Sequence, residues 1–221
     1  MHVRCLRDAF IAARVRINTA PIACSSDPQH RTNYQQVGTS VLCQLLHFRR
    51  TNADQDDIWP QAADTEIEFC LATRDPNGAP SDGILRVPTT SGSFGTSDNV
   101  KFTSAGGSDA WPTADYMNFW VCNLGGGLLG YAQFPGGSAS TDGVVCGYPY
   151  VGNNGPGAGI YNLGRTGTHE VGHWLDLRHI WGDGGCGVDD SVSDTPESDA
   201  SNFNCAIGHE SCGSVDMVQN Y

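Results

Sequence analysis

Two histidines four residues apart, His169 and His173, flank Glu170 in the stretch THEVGHW. If that stretch is helical, positions i and i+4 lie one turn apart on one face, with Cβ atoms about 5–6 Å apart. Such spacing lets two imidazoles reach one Zn²⁺ at about 2.0–2.1 Å. Glu170, between them in sequence, can then address a water on that metal. Alone, the pattern also fits a helix with two incidental histidines. His179, six residues beyond His173, changes the weighing. Six residues of continued helix would turn it about 240° from the metal face, so it joins only if the helix stops and the chain folds back. The stop belongs at Asp176, where a left-handed cap would usually carry Gly. Asp visits that region at tolerable cost. Three ligands, His169, His173 and His179, leave the fourth tetrahedral position open, which is the catalytic arrangement.

The elements that must hold these residues are partly readable. Thr166 or Thr168 can serve at the helix N-terminus, Val171, Trp174 and Leu175 make its core face, and it should end near Asp176. Upstream, residues 64–73 alternate Ile67, Phe69 and Leu71 against Glu66, Glu68 and Cys70, which reads as a strand. DPNG at 75–78 is a turn. Residues 88–109, rich in Thr, Ser, Gly and Asp, read as a surface loop. Strands are expected over 117–124, 128–134 and 142–148, and a Gly- and Asn-rich stretch at 152–159 leads to the helix. After Ile180 little regular structure is expected.

Composition narrows the function classes. The chain has 221 residues and a formal charge of −12, with only 12 Lys+Arg against 24 Asp+Glu. A nucleic-acid binder needs a basic footprint, so that class is set aside. No apolar run approaches the ~20 residues of a membrane span. The charge is unevenly spread. Arg4, Arg7, Arg14, Arg16, Arg31, Arg49 and Arg50 all fall in the first 50 residues, together with only two acids, Asp8 and Asp27, and one glycine, Gly38. The apolar stretch Ala9–Ala13 is shorter than the roughly 7–15 residues of a signal peptide, so none is expected; an organelle-type presequence, or a segment adding little to the fold, fits the composition.

Nine cysteines in an acidic, Gly-rich chain suggest disulfides and an oxidising compartment. The odd number leaves at least one without a partner. No CxxC is present, which removes zinc-ribbon and thioredoxin-type chemistry. Cys122 and Cys146, on strands close in sequence, are either bridged or two buried thiols.

HEVGHWLDLRHIWGD resembles the zinc signature of the metzincin clan of metallopeptidases, and its wording resembles the pappalysin family. FRRTNAD at 48–54, DTEIEFCLATRDPNG at 64–78, WVCNLGGGLLGYAQFPGG at 120–137, DGVVCGY at 142–148 and NLGRTGTHEVGHW at 162–174 read like segments of the same family. The resemblance covers residues 48–221, taken as a catalytic domain incomplete at its C-terminus, and leaves 1–47 as an atypical segment suggesting a truncated, mis-spliced or frame-shifted start. It implies an α+β fold: a twisted sheet with a backing helix, a zinc-binding active-site helix, and a small irregular C-terminal part. It implies a zinc-dependent endopeptidase, with zinc on His169, His173 and His179 and Glu170 as general base toward a metal-activated water. The strand around Leu129, Gly130, Tyr131 and Ala132 would bind an extended protein or peptide substrate. A structural Ca²⁺ would sit on Asp190 with the backbone oxygens of Val192 and Thr195, with Asp189 and Asp194 less favoured. Two disulfides of the family imply Cys186 with Cys212, and Cys205 with a partner beyond residue 221; a Cys186–Cys205 bridge is the alternative. An extracellular, secreted location is implied. Family members continue from a segment like DMVQNY into a Met-Asp-Tyr turn beneath the zinc; this sequence ends at Tyr221, and Met217 precedes the expected turn. The competing class is a non-catalytic binding or structural module stabilised by zinc and calcium.

Overall fold

The computed structural model describes residues 48, 63–67, 69–152, 161, 164–203 and 208–216, and the backbone course of 13–19. A six-stranded sheet organises them. Ala13–Thr19 (β1) lies at its centre. Along one edge β1 pairs in parallel first with Phe69–Leu71 (β2) and then with Ile84–Arg86 (β3). Along its other edge it pairs in parallel with Tyr116–Cys122 (β4). Val144–Gly147 (β6) continues the parallel order beside β4, and Gly130–Ala132 (β5) closes the sheet antiparallel to β6. Residues 13–19 are therefore structural, in contrast to the reading that the N-terminal segment adds little to the fold. Their Arg-rich composition hid this, because a strand is fixed by pairing partners distant in sequence as much as by local pattern.

Parallel strands covered on both faces read as continuous apolar runs rather than alternation. Every residue of β4 and β6 is buried. On one face Met117, Phe119, Val121, Val144 and Cys146 pack with Val171 of the single α-helix among the described residues, Arg165–Trp174 (α1). The backing helix of the expected fold is not among those residues. On the other face Trp120, Cys122 and Val145 pack with Phe94 and Val100. Truncating fully buried residues such as Phe119 or Trp120 to Ala would destabilise by about 3–5 kcal/mol. Cys122 and Cys146 thus face opposite sides of the sheet, in register one residue apart, and both are thiols. The bridge alternative is excluded by the pleat, since neighbouring positions point to opposite faces. Asn118, the one polar side chain buried in β4, is satisfied by the Trp111 N–H and C=O.

Residues 88–109 are more than a surface loop. Phe94, Val100 and Lys101 are buried, and short 3-10 turns at Asn99–Lys101 and Thr103–Ala105 lay the segment across the second face of the sheet. The expected strand 64–73 shortens to β2. Asp64 and Thr65 side chains accept the Glu66 and Ile67 amides, Glu66 takes φ 58°, and local side-chain bonds displace the ladder there. The DPNG turn is present, with the Gly78 amide on the Asp75 carbonyl.

Beyond Ile180 the described residues are irregular except for a hairpin, Glu210–Ser211 (β7) with Ser214–Val215 (β8). The Cys186–Cys212 disulfide joins this hairpin to the segment after His179, as the resemblance implied. Cys205 and Met217 lie outside the described residues. Asp216, fully buried, accepts bonds from Ser198 Oγ, His209 Nδ1, and the Ser211 amide and hydroxyl. Burial pushes its carboxyl up, but those donors outweigh it and hold it below the usual carboxylate range.

Candidate metal centre

Helix α1 carries two of the three expected ligands. It starts one residue earlier than Thr166: Gly164, at φ 76°, is the cap, and no side chain caps the helix. Both threonines fall inside it. A left-handed residue at the entry sets a direction into the helix that only Gly adopts freely. Val171 is fully buried beneath the sheet, while Trp174 and Leu175 pack at its margin. The Trp174 indole N–H also donates to Asp142 at 2.8 Å, tying the end of α1 to the β5–β6 connection.

The helix then stops as the sequence required. Asp176 has φ 78°. Its amide bonds the His173 carbonyl at 3.0 Å, and the Leu177 amide bonds the Gly172 carbonyl at 2.9 Å. These two bonds form a Schellman cap with Asp in the position usually held by Gly. The reversal brings His179 back over the helix face.

Three ring nitrogens converge. The Nε2 atoms of His169 and His173 are 3.0 Å apart, those of His173 and His179 3.2 Å, and those of His179 and His169 3.3 Å. Ligands at about 2.0–2.1 Å around a tetrahedral zinc stand roughly 3.3 Å from one another. The outer nitrogens set the tautomers. His173 Nδ1 donates to the Leu177 carbonyl at 2.7 Å, and His179 Nδ1 donates to Asp183 Oδ1 at 2.6 Å. With the proton on Nδ1, each Nε2 turns a lone pair toward the common centre. Facing lone pairs repel one another, so this donor set fits a cation at its focus. Burial, and then the neighbouring imidazoles, push His169 down to about 3, and burial also lowers His173; both favour the neutral ligand form.

Glu170 is buried, and burial raises its carboxyl to about 8. It lies against β5. A Cβ on Gly130 would stand 2.8 Å from Glu170 Cγ and 2.9 Å from its Oε1, so only Gly admits the carboxylate there. Strand β5 is last in the sheet order. The Gly147 amide bonds the Leu129 carbonyl and the Gln133 amide bonds the Gly143 carbonyl, so by alternation Leu129 and Tyr131 direct their backbone groups toward β6. Gly130 and Ala132 present theirs outward. The Tyr131 side chain points away from this edge, its ring 5.1 Å from the ammonium of buried Lys101. Lys101 in turn reaches Asp98 at 2.8 Å and the Thr141 carbonyl at 2.7 Å. Just past β5, Phe134 is 42% exposed with its ring 5.1 Å from that of His173.

The expected calcium residues are close together. Asp190 is buried, its Oδ1 accepts the Val192 amide at 2.9 Å, and the Val192 carbonyl accepts the Thr195 amide at 3.2 Å. Burial raises the Asp190 carboxyl, a state that a bound cation would reverse. A second group that can offer metal ligands, Asp199, His209 and Asp216, includes the Asp216 carboxylate already satisfied by four donors.

Sequence reasoning missed Asp183 and Trp181. Asp183 lies four residues past His179, the same interval as His169 and His173, but in a Gly-rich stretch where no turn of helix is expected. It also missed Gly130 as the residue that makes room for Glu170, because close approach is a tertiary property.

Comparison with known proteins agrees with this geometry. The Peptidase_M43 family model, described as Pregnancy-associated plasma protein-A, matches residues 102–221. An extracellular metalloprotease of Podospora anserina is 40% identical over 112 residues, covering 48% of this chain and 38% of that protein. One from Coccidioides posadasii is 42% identical over 111 residues, covering 48% and 40%. The chain thus spans well under half the length of these curated relatives. Mature mirolysin of Tannerella forsythia in complex with a cleaved peptide superposes with a TM-score of 0.80 at 39% identity, over 95% of this chain and 80% of that one. Mirolysin in complex with compound 9 gives 0.77 at 42% identity, over 88% and 75%. Convergent imidazoles, a buried carboxylate and a matching sheet stand together with a family match over more than half of the residues, and the chain belongs to the Peptidase_M43 family of metalloproteases.

Proposed function

We propose that the protein is a zinc-dependent, extracellular endopeptidase and that residues 48–221 carry its catalytic centre. The observation that supports this most is the approach of three imidazole Nε2 atoms to within 3.0–3.3 Å, beside a buried Glu170 that abuts the edge strand. His169, His173 and His179 would hold the zinc. When bound, zinc supplies Lewis-acid polarisation of a carbonyl and lowers the pKa of a water to about 7.

The chain's own residues do the rest. The outward N–H and C=O groups of Gly130 and Ala132 bind an extended peptide by strand addition and lay it along β5. The Glu170 carboxylate, in a water-poor setting that raises its proton affinity, accepts the proton of the attacking water. It then delivers that proton to the nitrogen of the departing amine. His173 and His179, each donating from Nδ1, direct Nε2 toward the common centre. Asp190, with the carbonyls of Val192 and Thr195, is proposed to take a structural calcium, which would neutralise a buried carboxylate. No helix among the described residues is long and apolar enough to cross a membrane, and the relatives are named as extracellular.

The test is Glu170→Gln, made in this chain and in a form extended beyond Tyr221 to the length of its relatives. Zinc content should be unchanged. Cleavage of casein should fall by at least ~10²–10⁴-fold, the contribution of general-base help. Equal cleavage by variant and parent would remove Glu170 from the reaction. Zinc binding without hydrolysis by the extended parent would instead favour the non-catalytic module.

A further inference from the structure

The three histidines are not held in equivalent ways. His169 and His173 project from α1, whose backbone limits their rotamers, and His173 is further held by the Leu177 carbonyl. His179 follows the cap, in a segment without regular structure. Besides the other two imidazoles, two contacts define its ring. Asp183 Oδ1 accepts its Nδ1 proton at 2.6 Å, and the Trp181 indole lies parallel to it at 4.3 Å with planes 4° apart. One contact sets the tautomer and the other the ring plane.

The turn that supplies both contacts is closely determined. The Gly182 amide bonds the His179 carbonyl at 2.8 Å, and the Gly184 and Gly185 amides bond the Trp181 carbonyl at 3.1 and 3.0 Å. A Cβ on Gly182 would come within 2.8 Å of Val188 Cγ1 and 2.9 Å of the Asp189 carbonyl. Asp183 itself has φ 59°. Its side chain is 66% exposed, so it adds little to the core. A left-handed, exposed turn position invites Gly or Asn. Asp is the choice that also adds a carboxylate within reach of Nδ1.

We propose that Asp183 is the positioning residue for the third zinc ligand: it fixes the Nδ1–H tautomer of His179 while Trp181 restricts the ring plane, so that Nε2 is aimed at the metal before the metal arrives. This rests on the zinc reading of the three histidines. Partners of this kind typically account for 10–100-fold in metal affinity.

The test compares Asp183→Gly and Asp183→Asn with the parent in zinc-chelator competition, together with thermal melting of each zinc-free protein. Nitrogen NMR of His179 in the zinc-free parent reads the tautomer directly. Gly relieves the left-handed strain and deletes the acceptor. Asn keeps an acceptor oxygen and also suits the backbone. The expected result is a ~10–100-fold weaker zinc affinity for Asp183→Gly, no loss of its zinc-free melting temperature, and an Asp183→Asn affinity nearer the parent than the Gly variant. The parent should carry its proton on Nδ1. A turn residue with no other role predicts the opposite, with Gly harmless to zinc. The inference is overturned if Asp183→Gly binds zinc as the parent does, if it melts earlier without zinc, if Asn is as weak as Gly, or if the proton sits on Nε2. A parent that binds no zinc would overturn the underlying zinc reading instead.

Discussion

The helix and the loop that follows it meet at three convergent imidazoles but are built on different physics. Helix α1 is anchored from outside itself: Val171 is buried under the sheet, and Glu170 is seated against Gly130 of β5. Past Leu175, the segment 176–185 has Ile180 as its one fully buried apolar side chain. It holds its shape through left-handed residues, tight turns and single hydrogen bonds. Packing errors should therefore damage the first region, and backbone errors the second. The same residue type illustrates the difference within the loop. Asp176 and Asp183 both take positive φ, yet only Asp183 places its carboxylate on His179.

The largest effect should come from filling the gap on the helix side. In Gly130→Ala, the new methyl meets Glu170 Cγ at 2.8 Å and the Val145 carbonyl at 2.9 Å. Backbone on one side and Glu170 on the other leave no easy relief. Overpacking of this kind destabilises by about 1–3 kcal/mol, and displacement of Glu170 should reduce proteolysis as well. Thermal melting and casein cleavage check both parts. An Ala variant with parental stability would break the claim that the sheet edge seats Glu170.

On the loop side the effects should be smaller and follow backbone conformation. Asp176→Val forces a β-branched residue to positive φ, an unfavourable placement of about 1–2 kcal/mol that also pulls His179 from the metal. Asp176→Gly should hold stability or raise it by up to ~1 kcal/mol and keep zinc. Zinc affinity across the Gly, Asn and Val variants sharpens the comparison. Tight binding in Val, or weak binding in Gly, would end the backbone argument; Gly and Val both weak with Asn milder would show that Asp176 acts through its charge.

These contrasts also explain what could be read from sequence. The spacing of His169, His173 and His179 carries its own geometry, because helix pitch and one reversal are local properties; Asp176 at φ 78° follows from that reasoning. Strands β4, β5 and β6 announced themselves through apolar runs bounded by glycines, though each is shorter than its pattern. The reading failed where tertiary partners decide. Residues 13–19 join the sheet through strands more than 50 positions away. Phe94, Val100 and Lys101 are buried from within a polar stretch, since a few apolar side chains suffice to seat a loop on a sheet face. The helix entry at Gly164 was misplaced because Thr166 and Thr168 are good caps in the abstract, and the preceding chain direction is not a local property.

The central claim is that three histidines from two differently built regions close on one zinc. Its most direct test is the metal content of the purified chain after reconstitution with zinc and removal of excess, measured for the parent and for His169→Ala, His173→Ala and His179→Ala. The account predicts one tightly held zinc per parent chain and loss of tight binding in each single variant, including His179→Ala, where the helix pair remains intact. A parent chain without zinc, or a His179→Ala chain that holds zinc as tightly as the parent, would contradict it.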